Sequence, residues 1–413
     1  YLLAMKIGYL TQWFQPEPNP RGLSLAKELQ NRGHTVKVLT GFPNYPYGKL
    51  YPGYKLSFRR KENIDGVNIT RVALYPYKGS SSLLRMANYL SFGIAALFFG
   101  ISEFKDVDVM LTYDAPPSYL IPIWAFKNIL KKKIILDIQD LWPENLIATN
   151  TLSNPSILFC LRTICDYICK IADKIIVISP GFEDRLIKRG VASTKIFVVY
   201  NWTDQEEAYL SVADSDSVDR GDSIFMKAEN EKTSLFIYAG NLGKAQRLSK
   251  LVEVAGRLKA DGFKLAIIGD GSEKKYLIDY AQRVGATNVF FMGRKPPMIL
   301  TRFFKTADGL IVYLRNDPNL QMTIPSKTQS YMASGRPIIM IHNGEASKLI
   351  KTASCGLVCD EEEPSQMISI FKNFISLDKK EKEKMGINGK NYYLKNLSRS
   401  VGTKRIEEIL MSV

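Results

Sequence analysis

The hydrophobic pattern of the first half of the chain alternates between short β-branched runs and segments in which apolar residues recur every three to four positions. The strand-like runs are MKIGYL, TVKVLT, DVDVMLTY, KIILDI, ADKIIVIS and KIFVVYN, and helical patterns such as SLAKELQNRG separate them. This alternation is typical of a parallel sheet with covering helices. It predicts a Rossmann-like domain over residues 5–202, and the four residues before Met5 are expected to be an extension outside it.

Residues 203–233 interrupt this rhythm, because they contain many acidic and few apolar residues. We interpret them as a linker or surface excursion. The alternation then resumes with SLFIYAGNLG, FKLAIIGDGS, NVFFMGR, ADGLIVYL, PIIMIH and GLVCD. It predicts a second Rossmann-like domain over residues 234–390, followed by a C-terminal helix over residues 391–413 that is expected to pack back on the first domain.

The predicted fold class is therefore α/β, with two Rossmann-like domains facing across a cleft. A chain of 413 residues exceeds the size at which one hydrophobic core normally keeps growing, so its length also favours two domains. In sheets of this kind, ligands bind at the carboxyl ends of the strands. The loops at those ends are thus the first candidates for a functional site.

The segment IPSKTQSYMASGRPI predicts a short helix with a lysine in its first turn. Ser326 is the expected N-cap, and Gly335 followed by Pro337 is a common way to end a helix. Lys327 lies at the positive end of the helix dipole, where a cation is unfavourable unless an anion is bound there. It is either an exposed lysine that costs roughly a few tenths of a kcal/mol or part of an anion site.

Three further loops at predicted strand ends contain glycine, namely YAGNLGKAQ, IIGDGSEKK and FMGRKPP. In the first loop, Gly240 and Gly243 would let a phosphate approach the backbone, with Asn241 and Lys244 as hydrogen-bond donors. Each loop alone is more simply explained as a turn, whereas all three together with Lys327 favour a phosphate site. Their spacing is neither that of a P-loop nor that of a G-x-G-x-x-G dinucleotide fingerprint.

The chain is basic, with a formal net charge of +15, and the excess is uneven. Residues 1–200 hold 25 Lys and Arg against 15 Asp and Glu, whereas residues 201–413 hold 31 against 26. Such an excess suits nucleic acid, an anionic membrane surface or a phosphorylated substrate. No nucleic-acid-binding motif accompanies it, so nucleic acid is the least favoured partner.

The histidines and cysteines do not form a metal-binding pattern. The two histidines, His34 and His342, are far apart in the sequence. Cys160, Cys165 and Cys169 lie at helical spacing without a tight Cys-x-x-Cys pair, so we expect them to pack in the core. No secretory signal is recognisable, which leads us to expect a reducing cytoplasm.

The longest uncharged apolar run covers residues 86–101, and its 16 residues fall short of the roughly 20 that a spanning helix needs. We expect a buried helix of the α/β domain rather than a membrane span. The alternative is a helix lying at the bilayer surface, which a basic neighbourhood would favour. The cations concerned are Arg59, Arg60, Lys61, Arg71 and Arg85.

Several of these stretches together resemble a known family. They are QWFQPEPNPRGLSLAKEL, LTGFPNYPYGKLYPGY, DIQDLWPEN, ADKIIVISPGFEDRLIKRGV, VVYNWTD, YAGNLGKAQRL, IIGDGSEK and IPSKTQSYMASGRPIIMIHNGEASKLI. The combination resembles the retaining glycosyltransferases of family 4, which have the GT-B fold and use nucleotide-diphospho-sugars without a metal ion. It looks most like the N-acetyl-L-fucosamine (L-fucosaminyl) transferases of bacterial O-antigen and capsule clusters, the WbuB type.

The resemblance implies a UDP-sugar donor, no cofactor and a set of donor-binding residues. Lys327 and Ser326 at the helix start, with the Gly240–Asn241 turn, would bind the donor diphosphate. Gly22, after the first strand, would approach that diphosphate from the other domain. The remaining implied donor contacts are Arg294, near the base, and Glu345, near the sugar and ribose.

Two departures from the family pattern concern catalysis. The usual pair of glutamates would fall at Met322 and Ser330, and the usual His-Asp reads Gln139–Asp140. Without a base, retention is possible if the leaving diphosphate assists the incoming hydroxyl while Lys327 stabilises the developing charge. Asp140 would then orient the acceptor or donor, although it could also simply cap the turn into LWPE.

The acceptor is expected on the first domain. The loop GFPNYPYGKLYPGY is rich in tyrosine and suited to stacking against sugar rings, although it could also be a self-packed surface loop. Its candidate contacts are Asn44 and Tyr45, and the candidates that complete this face are Arg21, Trp142 and Glu144.

The implied acceptor is an undecaprenyl-diphosphate-linked sugar. Such an acceptor would explain both the basic charge and the apolar run as means of docking at an anionic membrane surface. We therefore expect a cytoplasmic protein that is peripheral at the inner face of the bacterial plasma membrane. Two alternatives remain open, namely a non-hydrolysing UDP-sugar epimerase and a non-catalytic sugar-nucleotide-binding protein.

Overall fold

The computed structural model describes residues 4–79, 81–148, 152, 154–203, 206–211, 233–360 and 362–413. The chain forms two compact units. Unit 1 comprises Tyr1–Asp204 and Arg399–Val413, and unit 2 comprises Gln205–Ser398. Each unit contains its own β-sheet.

The strands of the described residues are β1 (Lys6–Leu10), β2 (Thr35–Gly41), β3 (Arg59–Ile64), β4 (Val67–Val72), β5 (Val109–Tyr113), β6 (Lys133–Ile138), β7 (Lys174–Val177), β8 (Ile196–Val198), β9 (Ser234–Ala239), β10 (Phe263–Ile268), β11 (Val289–Gly293), β12 (Gly309–Tyr313), β13 (Ile338–Ile341) and β14 (Gly356–Cys359). The α-helices are α1 (Leu23–Asn31), α2 (Ser82–Glu103), α3 (Leu120–Asn128), α4 (Glu144–Ala148), α5 (Pro155–Ile171), α6 (Pro180–Lys188), α7 (Glu206–Ser211), α8 (Leu248–Arg257), α9 (Lys274–Arg283), α10 (Pro297–Thr306), α11 (Pro318–Gln321), α12 (Ser326–Ala333), α13 (Glu345–Ala353), α14 (Pro364–Ser376), α15 (Lys379–Asn396) and α16 (Arg399–Met411).

Unit 1 is built on an eight-stranded sheet with the order β3-β4-β2-β1-β5-β6-β7-β8. Neighbouring strands are parallel except for β3 and β4, which form an antiparallel hairpin. Asp65 and Gly66 make its turn, both with positive φ, as a two-residue hairpin turn requires. The sequence pattern did not predict this hairpin, and it places the cations Arg59, Arg60 and Lys61 on the edge strand of the sheet.

The C-terminal helix α16 belongs to unit 1, where it packs against α1. Glu407 on α16 accepts hydrogen bonds from Arg32 at 3.1 Å and contacts His34 Nε2 at 2.9 Å. Gly402 lies so close to the Trp202 ring that a Cβ there would come within 2.6 Å of it. Buried side chains from α16, including Ile406, join the core around β1 and β2.

Helix α2 corrects the expectation for residues 86–101. It extends over Ser82–Glu103, 22 residues that include an 18-residue stretch with a mean hydropathy of 1.4, and is the one helix among the described residues with the length and composition to cross a membrane. Only 28% of its most apolar stretch is buried, so the expected buried helix is buried on one face only. The opposite face carries an exposed apolar stripe, formed by Leu83, Met86, Leu90, Ile94 and Phe98.

Unit 2 has a six-stranded, fully parallel sheet with the order β11-β10-β9-β12-β13-β14. Every strand that the sequence pattern predicted for this half is present. The chain order reverses between β9 and β12, which makes that position the topological switch point where ligands bind in such sheets. Buried aromatic and aliphatic residues, among them Phe236 and Phe371, fill the core against α8 and α14.

Most of the predicted linker lies outside the described residues, and the expectation for the cysteines holds for two of the three. Within the predicted linker, α7 forms a helix in which Tyr209 stacks on Phe304 of unit 2 at 6.0 Å, and residues 212–232 lie outside the described residues. Cys165 and Cys169 are buried as expected of core residues, whereas Cys160 is exposed because it lies on the outer side of α5.

Candidate functional site

Helix α12 places Lys327 in its first turn. The N-cap is Pro325 rather than the predicted Ser326, because Pro325 has extended backbone angles and Ser326 already belongs to the helix. The Ser326 side chain makes no capping bond. The helix ends as predicted at Gly335, whose φ of 70° is the left-handed conformation that glycine favours.

The Lys327 ammonium contacts one tyrosine. Its Nζ donates a hydrogen bond to the Tyr238 hydroxyl at 2.8 Å and lies 4.2 Å from the centroid of the same ring. No carboxylate of the described residues forms an ion pair with Lys327. Burial lowers the pKa of Lys327 to about 7, so this site is one in which a charged ammonium lacks a counterion.

Tyr238 connects the lysine to the glycine turn after β9. Its hydroxyl donates a hydrogen bond to the Asn241 carbonyl at 2.8 Å. Tyr331 of α12 holds the same strand end, because its hydroxyl accepts from the Ala239 N–H at 2.8 Å. Neither tyrosine was predicted from the sequence, since a tyrosine at a strand end or in a helix carries no signal of such a bond.

Gly240 is required by the close approach of Lys327. Its φ is 155°, and a Cβ at this position would lie 3.0 Å from Lys327 Nζ. A side chain would therefore be strained and would also crowd the ammonium. The structure thus brings together Lys327, Gly240 and Asn241, three of the residues predicted for the donor.

The three glycine loops meet at the carboxyl edge of the sheet in unit 2. The Gly269 N–H donates to the Gly293 carbonyl at 2.9 Å, and the Leu242 N–H donates to the Asp270 carbonyl at 2.9 Å. A Cβ on Gly269 would come within 1.9 Å of the Gly240 carbonyl oxygen. The loops after β9, β10 and β11 are therefore packed backbone against backbone beside the switch point.

Arg294 and Glu345 lie at two other strand ends of this unit. Arg294 is exposed directly after β11, where it adds to the lowering of the Asp270 pKa that the hydrogen bond from Lys274 mainly causes. Glu345 is buried at the first position of α13, after β13, and accepts a hydrogen bond from Lys348 at 2.9 Å.

The two positions without the family glutamates lie on either side of Lys327 in the sequence. Met322 follows α11, and Ser330 lies in α12 with its hydroxyl donating to the Ser326 carbonyl at 3.3 Å. Neither position carries a charge. The described residues of the chain also hold no group of three or more His, Cys, Asp or Glu arranged to bind a metal.

Unit 1 contains a polar cavity of about 320 Å³, at the switch point between β1 and β5. Three predicted residues, Asn44, Tyr45 and Asp140, line it. The other lining residues are Trp13, Pro18, Asn19, Pro20, Tyr77, Lys78, Arg85, Asn88, Tyr89, Tyr113 and Asp114. Aromatic faces beside hydrogen-bonding groups suit a sugar ring.

Two carboxyl groups of this cavity lie close enough to influence each other. Burial, followed by the charge of Asp140, raises the pKa of Asp114 well above its usual value, and burial also raises the pKa of Asp140. Within the part of the chain that the structure describes, Asp114 Oδ1 is buried without a hydrogen-bond partner, and the Asp114 backbone has a φ of 50°. Asp140 accepts a hydrogen bond from Asn145, so it also stabilises the turn into α4.

Three residues predicted for the acceptor lie elsewhere. Arg21 is fully buried and forms an ion pair with Asp137 at 2.6 Å, and Glu144 is buried among Arg162, Arg185 and Arg189. Arg21 and Glu144 are therefore buried and paired inside unit 1, and neither side chain is exposed to an acceptor in this structure.

Trp142 is only partly buried, but it lies against Tyr89 outside the polar cavity, with ring centroids 5.7 Å apart. It lines a neighbouring cavity instead.

A buried glutamate that the sequence analysis missed holds the tyrosine-rich loop. Glu17 Oε1 accepts hydrogen bonds from the backbone N–H groups of Asn44 and Tyr45, both at 2.7 Å. Its other oxygen accepts from the Phe14 N–H at 3.1 Å. Burial raises the pKa of Glu17 to about 7 despite these bonds.

Gly22 lies at the N-terminus of α1, in the loop after β1. Its N–H donates to the Asn19 carbonyl at 3.1 Å, and a Cβ would meet the Asn19 and Gln15 side chains at 3.2 Å. The position is therefore crowded. The role expected of Gly22 toward the donor stays a prediction.

Comparison with known proteins identifies both halves of the chain. Residues 18–202 match the glycosyl transferase 4-like domain, and residues 219–392 match the family glycosyl transferases group 1. Both matched domains are those of glycosyltransferases, so the epimerase and the non-catalytic alternatives are not retained.

Two curated relatives share 25% identity with the chain. The putative colanic acid biosynthesis glycosyl transferase WcaI of Escherichia coli K12 is similar over 81% of this chain and 82% of its own length. The probable glycosyltransferase WbjE of Pseudomonas aeruginosa is similar over 70% and 73%.

Among solved structures, the E. coli trehalose-6-phosphate structure bound with UDP-2-fluoro glucose has the same fold, with a TM-score of 0.74 at 11% identity over 99% of both chains. The chain therefore carries a glycosyl transferase 4-like domain followed by a glycosyl transferases group 1 domain, and it is a glycosyltransferase of the GT-B fold.

Proposed function

We propose that this glycosyltransferase moves a sugar from a UDP-sugar to a lipid-diphosphate-linked sugar, with retention of configuration, in bacterial surface polysaccharide synthesis. The observation that carries the proposal is the Lys327 ammonium at the start of α12, which has no carboxylate partner among the described residues. Its Nζ lies 3.0 Å from the position that a Cβ on Gly240 would occupy. An ammonium, a helix N-terminus and a glycine turn together are complementary to a diphosphate. The putative colanic acid biosynthesis relative supports a role in polysaccharide synthesis, and the WbjE relative supports glycosyl transfer.

On the donor side, the diphosphate contacts Lys327 and the backbone N–H groups of Ser326 and Asn241, beside Gly240, whose own N–H donates to the Ile268 carbonyl at 2.9 Å. Arg294 and Glu345 lie at the flanking strand ends, where they would contact the base and the sugar–ribose portion. The likeness to a fold bound with a UDP-sugar analogue supports UDP as the nucleotide. The lysine and the helix dipole supply positive charge, so no metal ion is needed to neutralise the leaving group.

On the acceptor side, the polar cavity of unit 1 receives the sugar. Trp13, Tyr45 and Tyr89 offer ring faces, and the Asp114 and Asp140 carboxyl groups offer hydrogen bonds to hydroxyls. Neither carboxyl group has to act as a base, because the leaving diphosphate takes the proton of the incoming hydroxyl on the same face of the sugar. Asp140 then orients the substrate, and the transferred sugar is an N-acetylated 6-deoxyhexosamine such as N-acetyl-L-fucosamine.

The protein works at the inner face of the bacterial plasma membrane as a peripheral, cytoplasmic enzyme. The exposed stripe of α2 includes Phe98, which is 70% exposed, and the neighbouring Phe58 is 85% exposed. Arg59 on β3 lies over the Phe99 ring of α2 at 5.7 Å, so cations border this apolar surface. Apolar side chains rimmed by cations suit an anionic lipid surface.

The test is a panel of UDP-sugars assayed with an N-acetylglucosamine-diphosphate-lipid acceptor, with UDP release and product formation as readouts. We expect turnover with an N-acetylated 6-deoxy donor. The new glycosidic bond should have the same anomeric configuration as the donor, and excess EDTA should leave turnover undiminished. Inversion of the anomeric centre would refute retention, and a complete loss in EDTA that Mg²⁺ restores would refute the metal-free mechanism.

A further inference from the structure

A second cavity of unit 1, about 340 Å³ in volume, adjoins the polar cavity and is almost entirely apolar. Its lining includes Met86 and Leu90 of α2, Ile121 of α3 and Leu161 of α5. Arg85 and Tyr89 line both cavities, so the two spaces meet at these side chains. One continuous site therefore changes from polar to apolar along its length.

Helix α2 forms one wall of the apolar cavity, where it packs closely on α3 and on the segment that precedes α3. Gly93 lies so near the Ser118 carbonyl that a Cβ would come within 2.7 Å of its oxygen, and a Cβ on Gly100 would come within 2.5 Å of the Phe126 ring. The mouth stays open, because Met86, Leu90 and Ile121 are 42%, 40% and 38% exposed. Met86 and Leu90 also belong to the exposed stripe, so the cavity opens onto the apolar surface of α2.

Two cations, Lys78 and Arg85, line the polar cavity, and Arg85 also lines the apolar cavity. Lys78 lines the polar cavity beside Arg85, and the pKa of Lys78 is lowered by burial and by the Arg85 charge. In the part of the chain that the structure describes, no carboxylate pairs with either side chain. Arg85 Nε is buried without a hydrogen-bond partner among the described residues. Two neighbouring like charges of this kind are complementary to a compact dianion.

We propose that this composite site binds the lipid acceptor along its whole reducing end. The diphosphate contacts Lys78 and Arg85, the attached sugar occupies the polar cavity, and the first isoprenoid units of the chain occupy the apolar cavity. The rest of the lipid leaves along the stripe of α2 toward the membrane. This assignment rests on the proposed function, and it makes the isoprenoid chain a determinant of acceptor recognition.

The arrangement favours an isoprenoid diphosphate over other ligands of the same region. A longer oligosaccharide would need hydrogen-bonding groups in the apolar cavity, whose lining offers few. A free phosphate would use the two cations but would leave the apolar space without a role. Only a ligand with an apolar chain attached to a diphosphate matches both halves.

The experiment is a titration of the intact protein with farnesyl diphosphate, inorganic diphosphate and farnesol, with saturating UDP present to occupy the donor site. We expect farnesyl diphosphate to bind at least tenfold more tightly than either of the other two probes. The Lys78→Gln/Arg85→Gln variant should lose binding of both diphosphates. The Leu90→Asn/Ile121→Asn variant should weaken farnesyl diphosphate alone.

Matched variants control for the removal of two positive charges and for the introduction of two polar side chains at exposed positions. Lys131→Gln/Lys188→Gln removes the same two charges from exposed positions of unit 1, and Ile129→Asn/Ile187→Asn changes two exposed isoleucines away from the cavity. Both controls should bind farnesyl diphosphate like the parent protein, and thermal unfolding should show all variants folded. Equal binding of farnesyl diphosphate and inorganic diphosphate, or an unchanged affinity in both cavity variants, would overturn the proposal.

A parallel assay of sugar transfer separates this proposal from the proposed function. If farnesyl diphosphate binds as expected but no lipid-diphosphate sugar is ever glycosylated, the site stands and the proposed function fails. If transfer occurs with a KM that depends neither on the length of the lipid chain nor on the cavity variants, the proposed function stands and the isoprenoid site is refuted.

Discussion

The Lys327 ammonium lies 4.2 Å from the centroid of the Tyr238 ring and donates a hydrogen bond to its hydroxyl at 2.8 Å. The tyrosine in turn donates to the Asn241 carbonyl. The lysine, the ring and the glycine turn are thus one connected unit at the switch point of the sheet. A ligand anion at this point would replace a tyrosine hydroxyl with a full counterion, which gives the site several measurable properties.

The first property concerns Gly240. Replacing it with alanine strains a φ of 155° and places a Cβ 3.0 Å from Lys327 Nζ. We expect Gly240→Ala to lower stability by about 1 kcal/mol and to weaken UDP binding at least tenfold, because the ammonium is displaced. Calorimetry and thermal unfolding measure the two effects.

Gly285→Ala is the matched control, since Gly285 also has a positive φ, 66°, but a Cβ there would meet nothing within 4 Å. It should reproduce the loss of stability and leave UDP affinity unchanged. A similar loss of affinity in both variants would show that backbone strain alone accounts for the effect.

The second property is the pH dependence of donor binding. The pKa of Lys327 is lowered to about 7 by burial, so the free site loses its charge as the pH rises above that value. The affinity for UDP should fall by about tenfold per pH unit above about pH 7, because each binding event must then take up a proton. Calorimetry at pH 8 in two buffers of different ionisation enthalpy should detect that uptake.

Lys327→Arg supplies the control for this titration, because a guanidinium stays charged throughout the range. Its affinity should be nearly independent of pH. A flat profile for the parent protein would contradict the assignment of the titrating group to Lys327.

A third prediction concerns unit 1, where the pKa of Glu17 is raised. Its pKa is raised to about 7 from an ordinary value near 4.5, so between those values the folded protein binds more protons than the unfolded chain. Stability should therefore fall as the pH rises through this window, by on the order of 2–3 kcal/mol. The parent protein should lose this amount relative to Glu17→Gln in unfolding experiments between pH 5 and pH 8. Parallel curves for the two proteins would show that Glu17 does not titrate in this window.

A fourth prediction concerns the association of unit 1 with membranes. Polybasic attraction contributes about 1 kcal/mol per residue near an anionic surface and is screened by salt. We expect Arg59→Glu/Arg60→Glu/Lys61→Glu to weaken binding to anionic liposomes without changing UDP affinity. High salt should strip the parent protein from these liposomes.

A triple change of Lys105, Lys131 and Lys188 to glutamate alters the net charge equally and should leave liposome binding nearly intact. Retention of the parent protein on liposomes after high-salt and carbonate washes would mean that α2 is inserted across the bilayer.

Much of the fold could be predicted because hydrophobic residues are spaced differently in strands and in helices, and because each hydrophobic segment is long enough to show its spacing. The β3–β4 hairpin was missed, because β3 (RRKENI) is polar at five successive positions and resembles a basic surface loop, although Asp65–Gly66 is a turn signal. The position of Lys327 in the first turn of α12 could be predicted, and because a cation at a helix start is unfavourable by itself, the sequence also predicted an anion site there.

The burial of Arg21 and Glu144 could not be predicted, for a different reason. Their partners are far away in the sequence, as with Asp137 for Arg21, and only the tertiary structure shows that the charges are paired. Asp114 was missed because its importance comes from burial and a positive φ, neither of which a single residue type reveals.

The most direct test of the account is the turnover of Lys327→Ala with the natural donor and a lipid-linked acceptor. If the ammonium stabilises the leaving diphosphate, kcat should fall on the order of a hundredfold while thermal unfolding is unchanged. Lys275→Ala, an exposed lysine of α9 in the same unit, should retain full activity. An unchanged kcat in Lys327→Ala would contradict the account and show that the lysine only occupies the end of a helix.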